Sequence, residues 1–388
     1  MSAASPHPRP WTDIGRHDLL PEASHDEVAR LNTVAHLNRF LAQRLVPTVE
    51  RAWKRRVQPG HIARFGRLPT DRHEARKALE SEPTYQIWST LRRNTMEMRQ
   101  QIGRALVLRQ AERLAAVAER HNAGASTLLL DESLDVPAYV RDIDVHLMPG
   151  GYTAETFPGD VSPAANYDAG LFATLGGAAG EFNDAAGRAL VAWLGREHPD
   201  FKPKHILDLG CGLGHNTLPL ARAFPDSLVV AVDVAAPMLR YGHARARSLG
   251  VDNVCFVQAD ATRLSGTMPS FDLVYTTMVL HETSRRSVEA LFDIARRQLR
   301  LGGLTIHLEQ PPYRGQDVFE QCMRDWDGRY NNEPFWSALH ELDLPMLLEV
   351  AGFERESIFE TRVVASEADP GQEDFGRAPA WYAVGARA

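Results

Sequence analysis

Short apolar runs alternate with amphipathic stretches from about residue 180 to the end of the chain. Seven of these runs have the length and the β-branched content typical of buried strands. They are residues 205–209, 228–233, 254–259, 271–276, 304–309, 353–358 and 381–385. Amphipathic helices fill most of the gaps, most clearly at 284–300. The alternation predicts an α/β fold, in which a Rossmann-like, seven-stranded and mostly parallel sheet has helices on both faces.

The first 130 residues have a different pattern, which is typical of helices. Ser24 and Glu27 form the signature of a capping box and predict where a helix begins. Apolar residues at every fourth position follow it: Leu37, Leu41, Leu45, Val49 and Trp53. Pro47 predicts a kink in that helix. A second long helix is predicted from about residue 83 to "HNAG" at 121–124, with a stripe of Ile87, Leu91, Met98 and Ile102.

These patterns predict three regions in the chain. Residues 1–130 form a helical N-terminal domain, which either caps a site or makes a homodimer through its apolar stripes. Residues 131–180 are rich in Pro and Gly and predict a hinge and a loop over a pocket. Residues 181–388 form the α/β domain, with an insertion for substrate near 311–341.

Composition and charge exclude several classes of protein. The chain has 388 residues, of which 44% are hydrophobic and 24% charged, a balance typical of globular domains. A net charge of −7 argues against a nucleic-acid partner. No apolar run approaches the roughly 18 residues of a membrane span, and the first residues lack the apolar core of a signal peptide, so we expect a cytoplasmic protein. The three cysteines, Cys211, Cys255 and Cys322, do not have the spacing of a metal site or a disulfide framework.

The stretch "HILDLGCGLGH" at 205–215 is the first candidate for chemistry. Gly210, Gly212 and Gly214 follow a predicted strand, where bare backbone allows a sharp turn and lets a ligand approach closely. The spacing departs from the dinucleotide fingerprint, because the third glycine comes one residue early and His215 stands in its usual place. Asp208 would repel a pyrophosphate but would attract an ammonium group.

Two further acids end the next two strands. Asp233 is placed to accept hydrogen bonds from two ribose hydroxyls, and Asp260 is placed to accept one from the exocyclic amine of an adenine. Since ligands bind at the carboxyl ends of strands in such sheets, these acids and the glycine loop face the same site. The implied ligand has an ammonium, a ribose and an adenine, and needs no phosphate.

The segments "LDLGCGLG", "VVAVDVAAPML", "QADATRL", "FDLVYTTMVLHE" and "LRLGGLTIHLE" resemble, in order and spacing, the motifs of the class I S-adenosylmethionine-dependent methyltransferases. The likeness covers roughly residues 180–388 and is greatest to the small-molecule branch. It implies S-adenosylmethionine as cofactor. Asp208 and the 210–214 loop would then hold the methionine end, Asp233 the ribose, Met238 and Ala261 the adenine ring, and Asp260 its amine. Thr276, at the end of the fourth strand, completes the predicted cofactor residues.

Residues for catalysis and substrate binding are harder to assign. His281 follows the fourth strand and is the candidate general base, although the same histidine would also suit a purely structural role in its loop. His307 and Glu309 share one face of a strand, but two ligands do not make a metal site, and no metal is predicted. The remaining candidates for substrate contact are Tyr152, Tyr167, Glu309, Tyr313, Trp326 and Tyr330. "QPPY" at 310–313 resembles a motif of nucleic-acid methyltransferases but follows the wrong strand.

Three functions follow from these features. The first is a methyltransferase that acts on a small molecule, in secondary metabolism. The second is an enzyme that uses the same cofactor without methylating, for example by closing a ring as azetidine-2-carboxylate synthases of this superfamily do. The third is a regulatory module that binds S-adenosylmethionine without turnover.

Overall fold

The computed structural model describes residues 10–264, 270–364 and 381–388. Its centre is one eight-stranded sheet with the strand order β1-β4-β3-β2-β5-β6-β8-β7. The strands are β1 Leu128–Leu129, β2 His205–Leu209, β3 Leu228–Asp233, β4 Val254–Gln258, β5 Phe271–Thr277, β6 Leu299–Glu309, β7 Phe359–Val363 and β8 Trp381–Arg387. Among the described strands, β8 runs opposite to the other seven, which are parallel to one another. The mostly parallel α/β sheet is therefore confirmed.

Two strands differ from the sequence prediction. The sixth predicted strand, 353–358, is wrong, because Arg355–Ser357 form a 3₁₀ turn and the strand begins at Phe359. The apolar residues at 353 and 358 suggested a strand, but the charged residues between them lie on an exposed turn. The second difference is β1, a two-residue edge strand that pairs with β4 and follows the N-terminal helices.

The N-terminal region is helical, as predicted. Its α-helices are α1 His25–Phe40, α2 Val46–Ala52, α3 Gln58–Phe65, α4 Arg72–Leu79, α5 Pro83–Leu108 and α6 Ala111–Asn122. Five-residue π-helical segments, Leu41–Leu45 and Trp53–Val57, join α1 to α2 and α2 to α3. Ser24 and Glu27 make both hydrogen bonds of the capping box. The second predicted helix is divided into α5 and α6, because the chain leaves helical geometry at Gln110.

The two predicted apolar stripes have different outcomes. Leu41, Val49 and Trp53 from the first stripe are buried against α5 and the insertion of the same chain. Ile87 and Met98 from the second stripe are exposed, so that part of the prediction is wrong. Ile102 of the same stripe is buried, together with Trp88, Met96 and Arg99, so the buried face of α5 lies beside the predicted one. Among the helices of the described ranges, none has the length and apolar content to cross a membrane.

The segment 131–180 is less irregular than its composition predicts. It holds the short helix α7, Ala138–Arg141, a 3₁₀ turn at Val145–Leu147, and then the 13-residue helix α8, Ser162–Thr174. Most of α8 is buried, and it packs against α1, α5 and α11 (Ala236–Ser248). The N-terminal helices are thus fastened to the sheet domain through a buried helix as well as through a loop.

Helices cover both faces of the sheet. They are α9 Ala185–Glu197, α10 Thr217–Ala223, α11 Ala236–Ser248, α12 Arg285–Gln298, the insertion helices α13 Val318–Arg324, α14 Trp326–Tyr330 and α15 Trp336–Glu341, and α16 Leu344–Val350. Consecutive residues of β2 enter different cores: Ile206 packs with α9 and α10, and Leu207 with α12 and α16. The chain crosses from one side of β2 to the other after β4, which leaves a crevice at the carboxyl ends of β2 and β5, where such sheets bind ligands.

Candidate functional site

The glycine loop after β2 forms the floor of a cavity. Gly210, Gly212 and Gly214 all have left-handed φ angles, of 79°, 53° and 80°, which glycine adopts without strain. Gly210 and Gly212 line the cavity, and a Cβ atom on Gly212 would meet no atom within 4 Å, so its backbone is open to a ligand. Gly214 does not line the cavity but lies against Phe256, where a Cβ atom would approach the ring to 3.2 Å.

The acids that end β3 and β4 lie on the same cavity wall. Asp233 accepts hydrogen bonds from the backbone N–H groups of Gly212 (2.8 Å) and Ala235 (2.9 Å), which fix its carboxylate against the loop. Burial raises its pKa above the usual range. Asp260 accepts from the backbone N–H and the hydroxyl of Thr262, at 2.9 and 2.7 Å. The structure therefore brings together the two acids that the sequence assigns to a ribose and an adenine.

Other predicted cofactor residues divide into two groups. Met238 and Ala261 line the cavity. Thr276 does not, because its hydroxyl lies 2.9 Å from the Nδ1 atom of buried His307. Its neighbour Thr277 lines the cavity instead, and the Thr277 hydroxyl is buried without a hydrogen-bond partner in the described residues. Alternate residues of a strand point to opposite sides, so the assignment of Thr276 is off by one position.

Asp208 lies beneath the loop rather than in the cavity wall. It is buried, and its Oδ2 atom accepts hydrogen bonds from the hydroxyls of Thr217 (2.6 Å) and Tyr275 (2.7 Å). Burial raises the pKa of Asp208 to about 6. The structure does not place this carboxylate with the other cofactor residues, and contact with an ammonium group stays a prediction.

A second cavity adjoins the first at the ends of β5 and β6. The two share a wall of five residues: Tyr167, His215, Asn216, Met278 and Glu282. The far walls of the second cavity come from the π-helical segment after α1, from α5 and α8, and from the insertion, including Leu41, Trp88, Met96, Leu171 and Trp336. Helices of the first 130 residues therefore help to enclose it.

His281 lies in the wall of the second cavity and is held by carboxylates. Its Nδ1 atom lies 2.7 Å from Oε1 of Glu309, and its Nε2 atom lies 3.8 Å from Oε2 of Glu333. Burial alone would lower the pKa of His281, but Glu309 and the neighbouring carboxylates raise it to about 9. The imidazole is therefore protonated at neutral pH, which argues against its predicted role as a general base.

Glu309 lies behind His281 and does not line either cavity. Its Oε2 atom accepts from the backbone N–H groups of Leu280 and His281, and its Oε1 atom accepts from that of Gln310. The predicted substrate contact is thus replaced by contacts that hold the loop after β5. His307, on the same face of β6, bonds to Thr276 and Thr305 instead of joining Glu309.

Glu282 lies at the junction of the two cavities, which sequence analysis did not predict. Its Oε1 atom accepts a hydrogen bond from the Tyr152 hydroxyl (2.8 Å) and lies 3.2 Å from Nε2 of His146. His146 also lies 2.9 Å from Glu333 through Nδ1, and its backbone has a left-handed φ of 54°. Burial alone would lower the pKa of His146, but Glu333 and Glu282 raise it to about 10. No sequence pattern signals this meeting, because Glu282 and Glu333 lie more than 100 residues from His146 in the chain.

The predicted substrate aromatics also divide. Tyr152 and Tyr167 line the cofactor cavity, with ring centroids 5.5 Å apart in an edge-to-face arrangement. Tyr313, Trp326 and Tyr330 line neither cavity. Trp326 packs against Trp88, and its indole N–H donates to the Ser89 hydroxyl at 2.7 Å. These three rings join the insertion to the N-terminal helices, the packing role that aromatic residues often have.

A separate buried network fixes the glycine loop to α8. Asp168 accepts hydrogen bonds from the Tyr241 hydroxyl (2.8 Å) and lies 2.7 Å from Nε2 of His215 and 3.0 Å from Nε2 of His17. The Arg245 guanidinium lies 3.9 Å away. Burial alone would raise the pKa of Asp168, but the surrounding donors hold it well below its usual range. Burial lowers the pKa values of His17 and His215.

The comparison with known proteins agrees with this geometry. Residues 206–303 match the sequence profile of a family described as a methyltransferase domain. That range includes the glycine loop, Asp233, Asp260 and Glu282. The chain contains a class I S-adenosylmethionine-dependent methyltransferase domain.

Individual relatives of the methyltransferase domain have mixed activities. The chain is 44% identical over 75 residues to a tRNA (guanine-N(7)-)-methyltransferase of Chloroflexus aggregans. The aligned residues are 19% of this chain and 33% of that protein. It is 39% identical over 82 residues to a trans-aconitate 2-methyltransferase of Deinococcus radiodurans, and this alignment covers 21% of this chain and 29% of that protein. The matches thus span about a third of these relatives. The structure of Haemonchus contortus phosphoethanolamine N-methyltransferase 2 aligns over 57% of each chain, at 18% identity and a TM-score of 0.42.

The residues of the first cavity fit S-adenosylmethionine, the cofactor of this domain. Polar contacts are available from the open backbone at Gly212, the Asp233 carboxylate beside it and the buried Thr277 hydroxyl, which has no hydrogen-bond partner among the described residues. The apolar side chains of Met238 and Leu291 line the same space. In the described ranges, no group of three or more His, Cys, Asp or Glu side chains has an arrangement that could hold a metal ion.

Proposed function

We propose that the protein transfers a methyl group from S-adenosylmethionine to a small molecule. The observation that supports the proposal is the wall that the two cavities share, which includes Tyr167, Met278 and Glu282. A cofactor in the first cavity would therefore adjoin an acceptor in the second. Methyl transfer needs the acceptor atom held in line with the donor at close range, and adjoining cavities supply that positioning.

The cofactor would be held by residues of the first cavity. In this proposal Asp233 binds the ribose, Asp260 and Met238 bind the adenine, and the backbone at Gly210 and Gly212 binds the methionine end; all of these residues line the first cavity. When bound, S-adenosylmethionine supplies an electrophilic methyl group on a sulfonium. Tyr152 and Tyr167 present aromatic rings to this cavity, and aromatic faces attract cations with about 0.5–2 kcal/mol.

Enclosure of the second cavity favours a small acceptor over a macromolecule. Leu41, Trp88 and Met96 line it on the side of the N-terminal helices, and Trp336 lines it on the side of the insertion. A site behind these side chains excludes water from the reacting groups and has no room for a folded nucleic acid. The N-terminal helices therefore act as a cap. Their first apolar stripe is buried within the chain, which also argues against its use as a dimer interface.

Proton transfer is assigned to Glu282 rather than to His281. Glu282 lines both cavities, whereas His281 lines only the second and is held protonated by Glu309. A carboxylate at the junction can take a proton from an acceptor O–H or N–H as the new bond forms. His281 then acts through its neighbours as a positioning residue.

Product analysis tests this function. The purified protein is incubated with methyl-labelled S-adenosylmethionine and a small-molecule extract, and products are identified by mass spectrometry. We expect S-adenosylhomocysteine together with a labelled small molecule. Formation of methylthioadenosine would instead indicate ring closure within the cofactor. Tight cofactor binding without either product, across extracts from several sources, would indicate a regulatory module and contradict the proposal.

A further inference from the structure

Arg99 is a fully buried arginine in the wall of the second cavity. It lies on α5, is 3% exposed, and lines the second cavity but not the first. Burial lowers the pKa of Arg99 to about 10, so the guanidinium still carries its charge at neutral pH. Arginines are rarely buried to this extent unless a carboxylate or a set of acceptors compensates the charge.

No such partner is found for Arg99 in the part of the chain that the structure describes. Its Nε atom is buried without a hydrogen-bond acceptor among the described residues, and none of their carboxylates forms an ion pair with it. Arg92, seven residues earlier on α5 and in the wall of the same cavity, is different. Its guanidinium donates to Asn38 at 3.2 Å, lies 3.9 Å from Asp327 and contacts the face of Trp326.

Helix α8 provides space for the Arg99 side chain. The guanidinium lies against Gly170, where a Cβ atom would come within 2.2 Å of Nε and 2.7 Å of Cζ. Gly170 has no positive φ angle, so its backbone conformation does not require glycine. The absence of a side chain there is explained by the space that the guanidinium occupies. The arginine is thus held in place by packing on one side, while its charge is left without a partner.

We propose that Arg99 binds the carboxylate of an acidic acceptor, which makes the acceptor a small molecule with one anionic group and a largely apolar body. This inference rests on the proposed function. A planar guanidinium binds a carboxylate through two parallel hydrogen bonds, and such bonds are strong where water is excluded. Leu41, Trp88 and Met96 in the same cavity suit the apolar body.

The methionine carboxylate of the cofactor has the same chemistry and is the other source of an anion. Tyr167 lines both cavities, and it is close enough to Arg99 for its electrostatic interaction to raise the pKa of Arg99. The acceptor is favoured because Arg99 faces the second cavity alone. The two sources are separable, since methylthioadenosine resembles S-adenosylhomocysteine but lacks the carboxylate.

The first arm of the test measures cofactor binding. Calorimetry compares the affinities of wild type, Arg99→Met and Arg99→Lys for S-adenosylhomocysteine and for methylthioadenosine. We expect each affinity to change less than three-fold. A loss of ten-fold or more for S-adenosylhomocysteine, with methylthioadenosine unchanged, would assign Arg99 to the cofactor and overturn the proposal.

The second arm uses matched acids and amides as probes, with S-adenosylhomocysteine at saturation. Octanoate is compared with octanamide, 3-phenylpropanoate with its amide, and indole-3-acetate with indole-3-acetamide, by ligand-observed NMR titration. We expect the wild type to bind at least one acid ten-fold or more tightly than its amide, and Arg99→Met to abolish that preference. Equal binding of every acid and amide, or a preference that survives Arg99→Met, would overturn the proposal. Neither arm requires turnover, so failure of methyl transfer is a separate result.

Two further variants guard against a misfolded protein. Gly170→Ala should displace the guanidinium and weaken the preference for acids while Arg99 is still present. Arg55→Met removes an exposed arginine from the π-helical segment Trp53–Val57 and should leave the preference for acids unchanged. We also expect Arg99→Met to raise the Tm, because it removes a buried charge that has no partner. A lowered Tm together with unchanged binding of acids would show that the arginine is only structural.

Discussion

Two buried clusters in this protein combine carboxylates with histidines in different proportions. Around Asp168, one carboxylate lies among His17, His215 and the guanidinium of Arg245. Around Glu282, three carboxylates lie among two histidines; the members of this second cluster are Glu282, Glu309, Glu333, His146 and His281. The pKa values of the histidines are lowered in the first cluster and raised in the second.

The difference shows how the number of carboxylates determines the protonation state of a buried histidine. Burial by itself would lower the pKa of each of the four histidines. One carboxylate shared with an arginine does not reverse this effect, so His17 and His215 stay neutral. Three carboxylates do reverse it, and they leave one negative charge in excess of the two imidazolium groups. The first cluster is balanced and suits a structural role, whereas the second keeps a surplus charge beside the cavities and suits a catalytic one.

The largest effect is expected for Glu282→Gln. The amide keeps the shape of the side chain but cannot take a proton, so turnover should fall by about 10² to 10⁴. Affinity for S-adenosylhomocysteine and the free energy of unfolding should change little. The measurement is the rate of S-adenosylhomocysteine formation with the acceptor that product analysis identifies.

Glu289→Gln is the matched control, because the Glu289 side chain is 43% exposed and pairs with Arg285 of the same helix. It should have wild-type turnover. If Glu282→Gln kept more than a third of the wild-type rate, the carboxylate would not be the base, and the surplus charge would need another explanation.

Asp168→Asn should have the largest effect on stability. The amide leaves the buried charge of Arg245 uncompensated and places an N–H group among donors, so we expect a loss of about 3–5 kcal/mol in the free energy of unfolding. Denaturant unfolding measures it. Asp293→Asn changes an exposed ion pair with Arg297 and should cost less than about 1 kcal/mol. Similar small losses from both variants would show that the Asp168 network does not stabilise the fold.

The pH dependence of stability should separate the two clusters. His17 and His215 have lowered pKa values, so their contribution is present above 6.5 and is lost as the pH falls below it. His281 has a raised pKa, so its contribution is present below 6.5 and is lost as the pH rises through about 9. Each histidine changes the free energy of unfolding by up to about 1.4 kcal/mol per pH unit in its window.

Unfolding measured from pH 5 to pH 10 tests this assignment. His215→Gln should reduce the loss on the acid side only, and His281→Gln the loss on the alkaline side only. A variant that flattens the opposite side, or neither side, would contradict the protonation states given above.

The sequence predicted the part of the site that depends on local spacing. Gly210, Gly212, Asp233 and Asp260 each lie within a few residues of the end of a strand, and parallel strands bring those ends together. Thr276 shows the limit of this reasoning. Both faces of β5 are buried, so the apolar pattern does not tell which residue of a neighbouring pair points to the cavity.

Residues whose position depends on tertiary packing were missed. Glu282, His146 and Arg99 come from three separate elements, and their meeting depends on how α5 and α8 pack against the sheet domain. No local pattern encodes that arrangement. Composition was also an insufficient guide in the insertion, because Trp326 and Trp336 have the same chemistry, yet Trp336 lines the second cavity and Trp326 lines neither of the two.

The smallest effects come from one chemical change made in both clusters. Tyr241→Phe and Tyr152→Phe each remove one hydroxyl that donates to a carboxylate at 2.8 Å, to Asp168 in the first case and to Glu282 in the second. A hydrogen bond to a charged group contributes about 1.5–3 kcal/mol. In the balanced cluster this loss should appear as reduced unfolding free energy with unchanged turnover. In the cluster with surplus charge, the same loss should appear mainly as a turnover changed by about three- to ten-fold, because in the proposed mechanism the Glu282 carboxylate that Tyr152 orients contacts the acceptor. Denaturant unfolding and turnover measured on both variants give four values. If both tyrosines affected stability alone, the two clusters would have the same structural role, and the charge difference between them would not mark a catalytic site.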